Sequence, residues 1–247
     1  MKDLAMSQDA RSELAPTGVL RAGINMGNFL LVTGRSETGD PAGVSPDMAR
    51  EIAKRLGVEV VYVPFPSPGL VADAAESGAW DIGLIGAEPA RAKTIDFTAA
   101  YAEIESTYLV PAGSPLKSIA DVDRKGVRIA VSARSAYDLW LERNIRHTEL
   151  VRAEGIDASY NLFVDQKLDV LAGLRPRLIE DVERLPGARI LDGRFSAVQQ
   201  AIGVPRGKAA AAAFLRDFVE EAKASGLVAS FIERHGVQGR LTVAPAA

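Results

Sequence analysis

One arginine in this chain, Arg91, follows an apolar run that ends at Gly86 and breaks at Pro89. This segment predicts the start of a short helix, with Glu88 near its N-cap and Pro89 at its first position. Arg91 then lies at the C-terminal end of a strand, where open α/β sheets bind small ligands. Its planar fork of donors matches a carboxylate. The alternative from spacing alone is a surface arginine paired with Glu88 or Asp96.

Composition narrows the classes of function. The 247 residues, 47% of them hydrophobic, can bury a full core and fit one large or two small domains. A net charge of -3 without a dense basic cluster argues against nucleic acid as a partner and favours a small molecule. The absence of cysteine excludes disulfides and thiolate sites. The segments around His147 and His235 predict that each histidine lies at a solvated helix C-terminus. We therefore expect ligand binding without a metal or cofactor.

The N-terminal segment bears on location. It is charged and lacks the apolar core and cleavage site of a secretory signal. No apolar run reaches the roughly 18 residues that a membrane span needs. We therefore expect a cytoplasmic protein if the chain is complete, or an exported domain whose leader was removed.

Strand-like and helix-like segments alternate along the chain. Residues 45–57 predict a helix with Ser45 as N-cap, Pro46 at the first position and Gly57 as its stop. The alternation favours parallel pairing, in two α/β lobes that are joined by extended strands and form a cleft. The predicted strands are residues 19–25, 58–65, 81–87, 95–101, 105–112, 127–133, 149–153, 168–174, 188–192 and 197–205, and the predicted helices are 45–57, 67–80, 133–145, 208–226 and 227–236.

The order and spacing of these segments resemble the polar amino-acid family of solute-binding proteins, which have the type II periplasmic binding fold and deliver ligands to ABC importers. The resemblance is carried by GVLRAGIN, AGVSPDMAREIAKRLGVEVVYVPF, SGAWDIGLIGAEPARAKTIDFTAAY, DVDRKGVRIAVSARSAYDLWL, QKLDVLAGL and QAIGVPRGKAAAAAFLRDFV. It implies two lobes with mainly parallel sheets flanked by helices, one from residues 1–107 and 198–247 and the other from 108–197.

The resemblance also implies a mechanism and a setting. The lobes would close on a small carboxylate-bearing solute by bending at residues 105–110 and 195–199, where the chain crosses between them. The partners would be an amino-acid-like ligand and an ABC transporter permease, in the periplasm if a leader was removed.

Several residues match the family's carboxylate site. Arg91, followed by Asp96-Phe97-Thr98 and Tyr101, fits the pattern of a ligand-binding arginine before a strand. Ser135 takes the family's Ser or Thr position at the start of the second lobe's first helix, where amides and the helix dipole favour an anion. The resemblance gives further candidates at matching or adjacent positions, namely Gly86, Asn25, Asn28, Phe29, Phe65 and Arg134. Arg134 stands where a glycine is common in the family. Trp80 and Trp140 are predicted to be core residues.

Two departures from the family leave the ligand's amine open. Glu88 stands where a threonine is usual, and Leu174, followed by Arg175, stands where many members have an aspartate for the α-ammonium group. In one hypothesis Glu88 accepts the ammonium while arginines hold the carboxylate. In the other the ligand lacks an α-amine, and Arg134 or Arg175 recognises a second acid group.

Two other functions compete with a non-catalytic binding protein. Cyclohexadienyl and other dehydratases resemble this fold, and in such an enzyme Glu88 would be the general acid. A neighbouring Arg91 would lower the pKa of that carboxyl and oppose the role. The third possibility is a cytoplasmic ligand sensor.

Overall fold

The computed structural model describes residues 8–247, which divide into two units. The first contains the chain up to Glu103 and again from Gln199 onward, and the second is Ile104–Val198. The strands, in chain order, are β1 (Val19–Asn25), β2 (Gly34–Arg35), β3 (Pro41–Ala42), β4 (Glu59–Phe65), β5 (Ile82–Gly86), β6 (Ile95–Phe97), β7 (Ala102–Val110), β8 (Arg128–Ser132), β9 (Glu149–Ala153), β10 (Val170–Leu174), β11 (Arg189–Ile190), β12 (Ser196–Pro205) and β13 (Thr242–Val243).

Eight α-helices lie within residues 8–247. They are α1 (Gln8–Leu14), α2 (Val44–Leu56), α3 (Pro68–Asp73), α4 (Ala136–Asn144), α5 (Ile156–Asp165), α6 (Arg175–Glu183), α7 (Ala209–Ala224) and α8 (Leu227–Arg234). None of these described helices is long and apolar enough to cross a membrane.

Each unit has its own set of parallel strands and its own core cluster. In the first unit β4, β1 and β5 pair in parallel, and the antiparallel β12 follows β5. In the second unit β10, β8 and β9 pair in parallel, with β7 antiparallel to β10. All five residues of β5, and all five of β10, are buried, as expected for strands covered on both faces. The prediction of an α/β fold with mainly parallel sheets flanked by helices is confirmed.

Helix α2 shows both a correct and a wrong prediction. Gly57 ends it in the left-handed conformation, with φ of 65°, as predicted. The predicted N-cap, Ser45, is wrong, because the helix begins at Val44 after Gly43. A Cβ on Gly43 would lie 2.2 Å from the Leu31 carbonyl oxygen, so close backbone packing sets this start. The hydroxyl of Ser45 instead lies 3.0 Å from that of Tyr101.

Other local predictions also need correction. The second predicted helix is short, since α3 ends at Asp73 and only a 3-10 turn, Ala74–Glu76, follows. Trp80 is a core residue, as predicted, and donates from Nε1 to the Val71 carbonyl at 3.0 Å. Trp140 is only half-buried, and its ring centroid lies 5.3 Å from that of Phe195. Helices α1, α5 and α6 were not predicted.

Each histidine matches only half of the prediction of a solvated helix C-terminus. His147 is exposed but lies in a turn after α4, where its backbone amide donates to Asp123. His235 follows α8 and is partly buried, with Nε2 2.8 Å from Oδ2 of Asp47. The buried Asp47 carboxylate also contacts Arg50 and Arg234, so this cluster joins the start of α2 to the end of α8.

Candidate functional site

Three parallel strands of the first unit end at one edge of its sheet. Asn25, the last residue of β1, is the register partner of Phe65, the last residue of β4. Ile24 pairs with Leu84, so β5 reaches the same edge at Gly86. Three candidate residues that are distant in sequence therefore lie at the carboxyl ends of neighbouring strands, the place where open α/β sheets bind ligands.

The helix predicted to begin near Glu88 is a single 3-10 turn, Arg91–Lys93, preceded by Ala90. The prediction of Pro89 at the first helical position is therefore wrong. The carbonyl of Glu88 accepts from the amides of Arg91 and Ala92, both at 3.0 Å. No longer helix fits here, because β6 begins at residue 95 and pairs with β12.

Arg91 is a buried residue with 5% of its surface exposed, so the alternative of a surface arginine is wrong. Its Nη1 donates to the carbonyl of Gly86 at 2.6 Å, which directs the guanidinium to the end of β5. Asp96, the other partner proposed for a surface arginine, lies 3.6 Å from Arg206. Glu88 is half-buried two residues after Gly86.

The loop after β1 is shaped by its own polar side chains. Oδ1 of Asn25 accepts the amide of Gly27 at 3.0 Å. Asn28 is 6% exposed, and its Oδ1 accepts the amides of Leu30 and Leu31 at 3.1 and 3.2 Å. Asn28 therefore holds the loop conformation.

The two aromatic candidates of this edge are both half-buried. Phe29 lies in the loop after β1. Phe65 packs against a core cluster that contains Val71 and Trp80. Part of the Phe65 ring surface is thus used in packing.

In the second unit Ser135 is the N-cap of α4, at the helix start where the resemblance places it, so the predicted start of this helix at residue 133 is wrong. Its Oγ accepts the amide of Asp138 at 3.1 Å, and the residue is 7% exposed. A helix N-terminus carries a partial positive charge and favours a nearby anion. In the first turn, burial raises the pKa of Tyr137 to about 12.

Arg134, immediately before this N-cap, has φ of 58°. An arginine in the left-handed region carries strain that a glycine would not. The conformation is held by Asp138, whose Oδ2 accepts the Arg134 amide at 2.7 Å while Oδ1 accepts from Nε of Arg152 at 2.9 Å. Asp138 was not predicted as a site residue, although Ser135-x-x-Asp138 resembles a capping signal.

Arg175 is the first residue of α6, and its guanidinium is held within the second unit. Nε donates to Glu105 at 2.7 Å, and Nη2 donates to the carbonyl of Gly193. Arg194 also approaches Glu105, at 3.4 Å. Leu174 is 5% exposed, so the end of β10 is apolar. Glu105 was missed, because its partners lie about 70 and 90 positions away in the chain.

Metal-ligating side chains do not converge in the part of the chain described. No group of three or more His, Asp or Glu residues within 8–247 is arranged to hold a metal ion. The groups available to bind a ligand are therefore arginine guanidinium groups, hydroxyl groups and the backbone amides at helix starts.

The chain is similar to known solute-binding proteins. Residues 24–238 match the model of a family described as bacterial extracellular solute-binding proteins, family 3. The chain is 21% identical over 220 residues to the L-cystine-binding protein TcyJ of Escherichia coli, covering 88% of this chain and 82% of that protein.

A second relative is an enzyme. The chain is 25% identical over 170 residues to cyclohexadienyl dehydratase of Pseudomonas aeruginosa, covering 67% of this chain and 63% of the dehydratase. Among solved structures, a mutant of ArgBP from T. maritima superposes with a TM-score of 0.73 at 22% identity, covering 93% of this chain and 100% of that chain. This last likeness shows the fold alone.

The strain at Arg134 is testable by substitution. We expect Arg134→Gly to be about 1 kcal/mol more stable than Arg134→Ala, because both remove the guanidinium but only glycine relieves the positive φ. Urea unfolding of both variants measures the difference. Equal stabilities would show that the backbone is not strained at this position.

Proposed function

We propose that this chain, which belongs to family 3 of the bacterial extracellular solute-binding proteins, binds a small solute that carries a carboxylate. The solute would be an amino acid or a related compound, and Arg91 would be its carboxylate anchor. The observation that carries this proposal is the buried Arg91 guanidinium, held by the Gly86 carbonyl where three parallel strands end.

The geometry of Arg91 suits recognition of a planar anion. A guanidinium donates two parallel hydrogen bonds to a carboxylate, and these charge-assisted bonds are strong when water is excluded. The bond to Gly86 restricts the side chain before any ligand arrives, so less rotamer entropy is lost on binding. Arg91 is therefore preorganised, whereas an exposed arginine would have to be ordered by the ligand.

The start of α4 supports the same class of ligand. Ser135 and the first amides of α4 favour a negative group, and the exposed Arg134 beside them adds a full positive charge. Strained residues persist where the surroundings enforce them, and they are concentrated at functional sites. Asp138 enforces the strain here through its bond to the Arg134 amide.

The relatives support the setting as well as the ligand. TcyJ is named as an L-cystine-binding protein, and the family is described as extracellular. We infer that this chain acts outside the cytoplasmic membrane, in the periplasm, as the non-catalytic solute-binding component of an ABC importer. The first unit supplies Arg91, and the residues that could assist it there are Asn25, Asn28, Phe29, Phe65, Gly86 and Glu88.

Replacing the anchor should abolish useful affinity. We expect Arg91→Lys to raise the dissociation constant for any carboxylate ligand by about 100-fold, because a point charge replaces a bidentate fork. A thermal-shift screen of L-arginine, L-cystine and succinate would find a ligand, and calorimetry would give the constants.

The matched control is Arg35→Lys in the same unit. Arg35 also donates to a backbone carbonyl, that of Gly39 at 2.8 Å, but is exposed. We expect this variant to bind like the parent. Unchanged affinity in Arg91→Lys, with the parent's melting temperature, would exclude the carboxylate anchor.

A finer question is whether the protein recognises an α-ammonium group on the solute. Leu174 is buried and apolar, and Arg175 is engaged by Glu105, so neither offers the acid that an ammonium group needs. The half-buried Glu88 lies close in sequence to Arg91 and could provide it.

We expect Glu88→Gln to weaken amino-acid binding about 10-fold while succinate binding stays unchanged, since the lost contact is a charge-assisted hydrogen bond. Glu37→Gln, at an exposed hairpin position, is the control for the charge change. If all amine ligands bind Glu88→Gln as tightly as the parent, the ligand's amine is not recognised there, and recognition of a second acid group becomes the better hypothesis.

The sequence similarity to cyclohexadienyl dehydratase supports a second candidate function. In this function the same fold catalyses an elimination, and Glu88 supplies the proton. Because the chain spans only 63% of that enzyme, its activity is not simply transferred. We expect no product when the protein is incubated with prephenate or arogenate and followed spectrophotometrically. Turnover that disappears in Glu88→Gln but persists in Glu37→Gln would establish the enzyme instead.

A further inference from the structure

The first unit contains a recess that none of the candidate ligand residues lines. It has a volume of about 410 Å³ and lies where β5 begins and β12 ends, beside Trp80 and Pro205. Gly86, by contrast, is at the other end of β5, which is about 13 Å long at the usual rise per residue. The size is within the range of small-molecule sites.

The charges that line this recess are strongly unequal. Four lining side chains are cationic, and a single one is acidic, Glu76. The cations come from four different parts of the unit, namely Arg21 in β1, Lys93 in the 3-10 turn after β5, Arg206 after β12 and Lys208 before α7. Tertiary structure therefore brings together charges that the sequence keeps apart.

Arg21 is fixed in the wall of the recess. Its Nε and Nη2 donate to the two oxygens of the fully buried Asp81 at 3.0 and 2.7 Å, and Nη1 donates to the Gly78 carbonyl at 2.6 Å. The bidentate pair with Asp81 raises the pKa of Arg21. This pair is neutral overall and gives the recess a rigid wall.

The other three cations are more open to a ligand. Nε of Arg206 donates to the Ala92 carbonyl at 2.9 Å, and Nζ of Lys208 donates to the Glu13 carbonyl at 2.9 Å, so backbone oxygens orient both groups without neutralising them. Lys93 is exposed and makes no ion pair with any residue of the described chain.

Nearby acids outside the lining offset these charges only in part. The Glu13 carboxylate accepts the Ala211 amide at 2.8 Å, at the start of α7. Asp96 lies 3.6 Å from Nε of Arg206, but both side chains are more than a third exposed, so the pair is weak. Glu76 is exposed to solvent. An excess of positive charge thus faces the recess.

We propose that this recess binds a small organic oxyanion with two or more negative charges, such as a phosphomonoester or a polycarboxylate, at a site distinct from that of Arg91. A single exposed ion pair contributes little, so three converging cations select for multiple charge. Ammonium and guanidinium groups both bind phosphate and carboxylate oxygens.

Calorimetry of the full chain tests this with glycerol phosphate and citrate, against sodium chloride at equal ionic strength. The two probes distinguish a phosphate from a polycarboxylate ligand. We expect saturable binding that weakens as salt is added, since the cations are partly exposed. Heats equal to those of sodium chloride would overturn the proposal.

Variants locate the binding. Lys93→Gln and Lys208→Gln each remove one cation and should weaken oxyanion binding at least 5-fold, while Glu76→Gln removes the lining acid and should tighten it about 3-fold. Lys125→Gln, exposed in the second unit, makes the same charge change and should have no effect. Binding that is no weaker in Lys93→Gln and Lys208→Gln than in Lys125→Gln would contradict the assignment.

The recess and the Arg91 site can be separated. Lys208→Gln should bind the oxyanion more weakly and bind the solute found in the thermal-shift screen as tightly as the parent does. Arg91→Lys should bind that solute more weakly and bind the oxyanion as tightly as the parent does. If Arg91→Lys also abolishes glycerol phosphate binding, the oxyanion occupies the Arg91 site, and the recess proposal fails independently of the proposed function.

Discussion

The candidate site depends on one interaction, the hydrogen bond from the buried Arg91 guanidinium to the carbonyl of Gly86. A guanidinium stays charged in any protein environment, so its burial requires donors that are well satisfied and a chain path that keeps it in place. The parallel strands β1, β4 and β5 provide this path, because they end together and leave the 3-10 turn Arg91–Lys93 to follow the last of them. The remaining candidates of the first unit take their positions from the same strand ends.

In the second unit, two acidic side chains hold arginine residues in fixed positions. A single carboxylate, Asp138, accepts the Arg134 amide and the Arg152 guanidinium, while its own amide donates to Ser135. This buried acid lets a charged residue occupy a backbone conformation that suits glycine. In the same unit, Glu105 engages Arg175, so an arginine next to an apolar strand end is drawn into a structural ion pair. Arginines that look alike in the sequence therefore differ in what they can bind.

Much of the fold could be predicted from local patterns. The apolar runs of β1, β5 and β10 and the periodic face of α2 are strong signals, because each contributes several buried residues to the core. The errors lie in the bounds of elements and in helices that were not predicted. Ser45 looks like an N-cap, yet the approach of Gly43 to the Leu31 carbonyl starts α2 earlier. Helix α6 was not predicted, although Pro176 directly after a strand favours a first helical turn.

The sequence by itself determined the α/β class, the order of most elements and Arg91 as a candidate anchor after a strand. These features depend on neighbours a few positions apart, where propensity and periodicity act. Only the tertiary structure decided that Arg91 is buried rather than paired on the surface, that Glu105 engages Arg175, and that four distant cations line one recess. Burial and long-range ion pairs arise from how strands and helices pack, and no local pattern of residues encodes which charges that packing brings together.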